Sequence, residues 1–290
     1  MTTVRETVST TTEHLLRAWA EDLAAWRIPE PILSAVEESP WVLPEEVFTR
    51  RTEHYLAEPG GPSYERAMEA LGPGGGSVLD IGAGGGSASL PLAARTTGLT
   101  VVDSSRPLLD DLVRRAAPLG LTPAAVCGTW PDVAAEVPEA DVVLCHHVIY
   151  NVPDLEPFVT ALTRHARRRV VAEITVRHPL TELNPYWKRF HGLERPEGPT
   201  AEQVIETLQA LGLQVTAERW TRPALAEYKS FATLVDVTRR RLCLPPDRRD
   251  DVADALRDAG VSDESPPDLG SSGRDLVTLW WPGSARRSAG

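Results

Sequence analysis

The stretch Val78-Leu79-Asp80-Ile81-Gly82-Ala83-Gly84-Gly85-Gly86-Ser87 runs an apolar strand directly into a glycine turn with a carboxylate at its lip. Glycines at 82, 84 and 86 allow positive φ and a close approach of backbone to a ligand. Ser87-Ala88-Ser89-Leu90 reads as the opening of a helix whose free N–H groups would face that ligand. A strand, a glycine turn and a helix in this order form a nucleotide-type cofactor site.

From Ser77 onward short apolar runs alternate with helical stretches, the pattern of parallel βαβ units. Expected strands are Ser77 to Ile81, Leu99 to Val102, Ala124 to Cys127, Asp141 to Cys145 and Arg169 to Ile174. Expected helices between them are Ser87 to Arg95, Pro107 to Ala117, Trp130 to Ala135 and Asp154 to Arg167. The last carries Leu155, Phe158, Val159 and Leu162 on one face. The fold class is therefore α/β, a Rossmann-like doubly wound sheet.

Upstream, residues 1–75 read as helical: Leu15, Leu16, Trp19, Leu23 and Trp26 recur at helical spacing, followed by elements over Pro31 to Val36 and Pro44 to Leu56. This region is either a packing layer over the sheet or a lid over a substrate pocket. Downstream, residues 176–200 are polar and punctuated by proline but hold Tyr186, Trp187, Phe190 and His191, a candidate lid segment. Thr200-Ala201-Glu202-Gln203 is a capping box for a helix with Val204, Ile205, Leu208 and Leu211 inward. Leu213 to Trp220 and Asp275 to Trp281 read as strands. Between them lies a helical insertion, residues 223–272, broken at Pro245-Pro246 and ending in a flexible loop through Ser272. Residues 76–282 thus form the cofactor domain and 283–290 a polar tail.

Composition excludes several classes. In 290 residues, 42% hydrophobic content suffices for a sizeable core, and no apolar run approaches the ~20 residues that span a bilayer. The polar start, Met1 to Glu13, has no signal-peptide core, so a cytoplasmic, membrane-free protein is expected. A net charge of -11 argues against a nucleic-acid partner. Cys127, Cys145 and Cys243 fit neither a disulfide framework nor a zinc spacing, and no metal site is expected. Oligomeric state is not legible.

Asp103 closes the second strand, twenty-one residues after Gly82, a spacing that suits a carboxylate accepting hydrogen bonds from ribose hydroxyls. Asp80, two positions before the first glycine, would repel a pyrophosphate but suits the ammonium of a methionine moiety. The glycines also run G-x-G-x-G rather than G-x-G-x-x-G. These features disfavour a nicotinamide oxidoreductase.

The chain here resembles the class I S-adenosylmethionine-dependent methyltransferases, through V-L-D-I-G-A-G-G-G (78–86), V-V-D-S-S-R-P-L-L (101–109) and D-V-V-L-C-H-H-V-I-Y-N-V-P-D-L (141–155). The resemblance implies a seven-stranded sheet with an antiparallel last strand and S-adenosyl-L-methionine as cofactor. It implies Asp80, Gly82 and Gly84 at the methionine end, Asp103 on the ribose, Ser104 by the adenine, and His146 against the cofactor. Where the family often has an acid or small polar residue by the adenine, Gly128-Thr129-Trp130 stands; Trp130 either stacks on the base or packs at a helix start. The long 223–272 insertion departs from the family pattern and has no assigned role.

Methyl transfer asks the protein mainly to align an acceptor, and a base within reach helps when a proton must leave. His146, His147 and Tyr150, at the end of the fourth strand, are the catalytic candidates; as side chains alternate along a strand, only one of the two histidines should face the cleft. The competing reading has them satisfying backbone groups, with Asn151 capping the next helix. Glu173 is a base, a metal ligand or an arginine's ion-pair partner. His178 and His191 either line a pocket or cover the sheet edge. Asn184-Pro185-Tyr186-Trp187 resembles the N-P-P-Y of amino-methyltransferases but stands too late in the chain, after the fifth strand, and reads as helix or lid. The expectation is methyl transfer to O, N or C of a small-molecule acceptor. The alternative is a non-catalytic cofactor-binding or regulatory protein.

Overall fold

The computed structural model describes residues 2–223, 228–261, 263–264, 269 and 274–284. Four helices come first: α1 (Thr2–Ala24), α2 (Glu30–Leu33), α3 (Glu45–Ala57) and α4 (Pro62–Leu71). The α/β part follows with β1 (Gly76–Ile81), β2 (Thr96–Asp103), α5 (Arg106–Ala116), β3 (Ala124–Cys127), β4 (Ala140–His146), α6 (Leu155–His165) and β5 (Ala166–Thr175). Then come α7 (Asn184–His191), α8 (Ala201–Ala210), β6 (Thr216–Thr221), α9 (Phe231–Arg241), α10 (Arg249–Asp258) and β7 (Asp275–Pro282).

The strands form one sheet in the order β3-β2-β1-β4-β5-β7-β6. β1 to β5 are parallel, and β7 enters antiparallel between β5 and β6. This is the Rossmann-like, doubly wound architecture expected. Parallel strands covered on both faces read as continuous apolar runs, and Val142, Val143, Leu144 and Cys145 of β4 are all fully buried.

Alternation along β1 splits the core in two. Leu79 and Ile81 join Trp19 of α1, Phe158 and Leu162 of α6 and Val204 and Leu208 of α8 on one face. Val78 joins Ala67 and Leu71 of α4 and Leu109 and Leu112 of α5 on the other. A third cluster belongs to helices alone: Val47 of α3, Tyr186 and Trp187 of α7, Leu234 and Val235 of α9 and Val252 and Leu256 of α10. The helices α9 and α10 of the insertion therefore pack with α3 and α7 into one helical cap.

Several expected boundaries move. The helix expected over Ser87 to Arg95 is instead a 3-10 segment, Leu90–Arg95. Pro91 has no N–H to return to the Ser87 carbonyl, and the chain closes with i→i−3 bonds such as Leu92 N–H to Ser89 O at 3.1 Å. Trp130 to Ala135 is likewise a turn and a three-residue 3-10 segment, Ala134–Glu136. The strand expected from Leu213 begins at Thr216. The capping box at α8 is present, with Thr200 N–H donating to Gln203 Oε1 at 2.8 Å. α4 is a separate helix that the periodicity of residues 1–75 did not resolve. The loop expected through Ser272 and most of the 283–290 tail lie outside the described residues. Among the described residues no helix is long and apolar enough to cross a membrane.

The antiparallel strand is pinned to α6 by one buried bond. Trp281 Nε1–H donates to Thr163 Oγ1 at 2.8 Å, and Thr163 Oγ1–H donates to Val159 O at 2.7 Å. Replacing Thr163 by valine keeps the shape but strands the indole N–H in the core. Chemical denaturation of Thr163→Val should show a loss of about 1–3 kcal/mol.

Candidate active site

The glycine turn caps β1 under tight constraints. Gly82, Gly84 and Gly86 have φ of 69°, 51° and 86°. The N–H groups of Gly82 and Ala83 both donate to Val102 O, at 2.8 and 3.1 Å, folding the turn over the end of β2. Gly84 N–H donates to Asp103 Oδ2 and Ser105 N–H to Asp103 Oδ1, each at 2.8 Å. Asp103 thus stitches the β1 and β2 turns together, and each of its oxygens keeps a further lone pair. Ser104 beside it is exposed. A Cβ at Gly82 would fall 2.3 Å from Val148 Cγ2, and one at Gly84 3.4 Å from Phe48. The hydroxyl of Thr52, one turn along α3 from Phe48, lies 3.0 Å from Gly85 O. The cap therefore rests on the turn.

Beneath the turn Asp80 is 1% exposed, and its Oδ2 has no hydrogen-bond partner among the described residues. Burial pushes this carboxyl up to about 6, with Ser89 and His146 opposing and Asp103 adding to the rise. It is a desolvated carboxylate placed where a cation would relieve it.

At the end of β4 the two histidines diverge. His146 Nε2 is buried without a partner. His147 takes φ of 60°, unusual for a residue with a side chain, and its Nε2 lies 2.9 Å from Glu173 Oε1 on the neighbouring strand β5. A carboxylate only accepts, so the proton of the neutral ring sits on Nε2 and Nδ1 is left as a bare lone pair. That Nδ1 is buried and has no partner among the described residues. Burial holds the His147 imidazole below its ordinary value, against the upward pull of Glu173. Glu173 is buried too, which disfavours its charge. The bond from His147, the nearby His146 and the 2.6 Å bond from Ser63 Oγ–H outweigh this and hold the carboxyl below the usual range. The Ser63 oxygen stands 2.7 Å from Thr278 Oγ1, which accepts Trp220 Nε1–H at 3.1 Å. Of the three readings of Glu173, the ion pair with an arginine gives way to bonds from His147 and Ser63.

His147 and Tyr150 line a cleft of about 700 Å³ between sheet and cap. Its other walls include Phe48 and Arg51 of α3, Trp26, the half-exposed Trp41, His178 and Arg241 of α9. His178 stacks on Trp26 at 4.3 Å. Burial, with Arg241 adding, lowers its imidazole to about 4, so the ring is neutral. Arg51 and His147 also line a smaller cavity that contains His146, Ser87 and Glu173.

Residues 78–169 match the family model described as a methyltransferase domain. Over this third of the chain the sequence is similar to a methyltransferase domain. A curated relative, an uncharacterized protein of Haemophilus influenzae, is 35% identical over 108 residues, which are 37% of this chain and 40% of that protein's length. The fold is shared with the YcgJ protein of Bacillus subtilis, at 17% identity and a TM-score of 0.50 over 81% of this chain and all of that one. A magnesium protoporphyrin IX methyltransferase of Synechocystis aligns at 16% identity and a TM-score of 0.48, over 82% of this chain and 84% of that one.

Within this matched stretch Asp80, Gly82, Gly84 and Asp103 gather at one turn, with His146 a coulombic neighbour of Asp80. Two expectations change. Trp130 lies in the core at 6% exposure, edge-on to His165 at 4.8 Å and with Nε1–H directed at Phe158 O at 3.4 Å, so its ring is committed to packing and does not offer a face for stacking. His191 bonds Leu242 O at 2.7 Å and holds α7 to α9, away from the cleft. Thr129 is exposed, and its carbonyl accepts Val133 N–H at 3.2 Å. Arg51, Ser63 and Arg241 were not legible as site residues: nothing local marks them among so many arginines and serines.

The Asp80 carboxyl ionises near 3.8 when unfolded and near 6 when folded. Its burial is therefore tolerated below pH 4 and becomes costly as pH rises through 6, reaching about 3 kcal/mol at pH 7. Asp80→Asn should accordingly raise the melting temperature at pH 7 by several degrees, a gain that shrinks toward pH 4 in scanning calorimetry. An unchanged or lower melting temperature at pH 7 would contradict the strain assigned to this carboxylate.

Proposed function

We propose that the chain is an S-adenosyl-L-methionine-dependent methyltransferase acting on a small molecule, with His147 as general base. The single observation that carries the reading is His147, a residue lining the cleft whose imidazole is oriented by Glu173, is neutral at pH 7 and leaves its buried Nδ1 without a partner among the described residues.

The residues present fit the cofactor. Asp80 is a buried carboxylate lacking a partner on one oxygen, suited to the ammonium of a methionine moiety. Asp103 keeps lone pairs for ribose hydroxyls after binding Gly84 and Ser105. Gly82 and Gly84 form a cradle in which a Cβ would meet Val148 or Phe48. When bound, the cofactor supplies a methyl group on a sulfonium, already activated for displacement.

The protein's part is to position the acceptor and receive its proton. His147 Nδ1 accepts the proton of an acceptor hydroxyl or amine, and Glu173 stabilises the imidazolium that results. The N-terminal helices, residues 176–200 and α9 enclose the acceptor and keep water away. A cleft of this volume matches a small molecule, and a net charge of -11 opposes a nucleic-acid substrate.

Titration calorimetry should give S-adenosyl-L-methionine binding that Asp80→Ala and Asp103→Ala each weaken at least about tenfold, a loss of about 1.4 kcal/mol or more. Absence of binding by the wild type would sink the reading. His147→Ala should bind the cofactor normally and lose about 10²- to 10⁴-fold in rate on any acceptor found by screening. Because burial lowers the His147 pKa, the wild-type rate should fall to half its plateau only at a pH below 6.5. A rate that halves at 6.5 or above would remove His147 as the base.

A further inference from the structure

Three polar side chains from outside the matched residues 78–169 lead outward from Glu173: Ser63 of α4, Thr278 of β7 and Trp220 of β6. Strand alternation gathers them on one face of the sheet. Val171 of β5 stands opposite Trp280 of β7, and both pack with Ala67 and Leu71 of α4. Two residues along each strand, Glu173 stands opposite Thr278 on the same face, and both are buried. Ser63, also buried and in the first turn of α4, reaches both.

The direction of every proton in this group follows from its two ends. Trp220 Nε1–H can only donate, so Thr278 Oγ1 accepts it at 3.1 Å. The ionised Glu173 can only accept, so the 2.6 Å bond to its Oε2 takes the single hydroxyl proton of Ser63. Ser63 then has no proton for Thr278, and the 2.7 Å contact between them is Thr278 Oγ1–H donating to Ser63 Oγ. The bonds run one way, from Trp220 to Thr278 to Ser63 to Glu173, and each donor polarises the next.

The far end of this line is His147. Its Nε2 lies 2.9 Å from the other carboxylate oxygen of Glu173, and its backbone N–H donates to Glu173 O at 2.8 Å. With a donor on each oxygen the carboxylate cannot rotate without losing a bond, and the ring proton is kept on Nε2. The line depends on register: a slip of one residue between β5 and β7 would turn Thr278 to the other face. Trp220 supports it twice, since a Cβ at Gly61, two residues before Ser63, would lie 3.4 Å from its ring.

We infer that Ser63, Thr278 and Trp220 are positioning residues for His147, a one-way line of donors that fixes the Glu173 carboxylate and, through it, the tautomer that leaves Nδ1 bare. That the bare nitrogen serves as a base rests on the methyl-transfer reading above; that the line sets the tautomer does not. Helix α4 and the outer strands β6 and β7 thereby act on a residue at the end of β4.

The test is nitrogen NMR at pH 7 of the full chain, isotopically labelled at histidine, with neither cofactor nor acceptor; the His147 signals are those lost in His147→Ala. Wild-type His147 should show a protonated Nε2 and an unprotonated Nδ1. Ser63→Ala should move it to a mixture of tautomers and speed exchange of Nε2–H with water at least about tenfold. Thr278→Val should act in the same direction to a smaller extent, and Thr278→Ser, which retains the hydroxyl, should match the wild type. The inference is overturned by a wild-type ring protonated on Nδ1, by a Ser63→Ala protein that melts earlier but keeps the wild-type tautomer and exchange rate, or by Thr278→Val and Thr278→Ser proteins with the same His147 signals. Should Ser63→Ala fail to fold, the wild-type tautomer and the two Thr278 variants decide. On an acceptor found by screening, Ser63→Ala should lower kcat about tenfold and leave KM unchanged. The NMR changes without methyl transfer by the wild type would sink the base and leave the line of donors; methyl transfer without the NMR changes would do the reverse.

Discussion

A carboxylate cannot leave water without compensation, and this fold removes two at the carboxyl edge of its sheet. Glu173 is compensated within the protein, by His147 and Ser63, and stays ionised. Asp80 is compensated only in part, and burial drives its carboxyl up to about 6. The satisfied acid fixes a histidine in one tautomer, and the unsatisfied one holds free energy in reserve for a cation. Stability and binding are thus set against each other at a single residue.

The helical cap explains how that edge is kept dry. Its core is separate from those of the two sheet faces, and it touches the cofactor turn through Phe48 and Thr52 of α3. α1 is fastened by Trp19 Nε1–H to Val152 O at 2.7 Å, and the chain just past its end by Trp26 Nε1–H to Gly198 O at 2.6 Å. Asp22 holds α8 through Gln203 Nε2 at 2.5 Å. The sheet carries the turn and the histidines, and the cap carries the arginines.

Legibility followed the range of the interactions. Helices α6 and α8 and the Asp80–Asp103 pair were readable because each is a local pattern: a 3.6-residue period, a capping box, a spacing across one βα unit; the antiparallel last strand came only with the family resemblance. The helix expected after the glycine turn was misread because one proline outweighed an otherwise plausible opening. Trp130 stayed open between two readings for a different reason, since its position in the chain is the same whether the ring faces a ligand or the core. The partner of Glu173 lies on a neighbouring strand, and Ser63 comes from a helix more than a hundred residues away in sequence. No periodicity encodes such a meeting.

The amino-acid sequence alone determined the α/β architecture and the glycine turn, because strand alternation, glycine conformational freedom and the placement of two acids within twenty-four residues act over short stretches of chain. Only the tertiary structure decided which histidine is oriented and which distant side chains meet at the cleft. Those properties arise where α3, β4, β5 and α9 converge, and burial and proximity between distant segments, not residue type, create them.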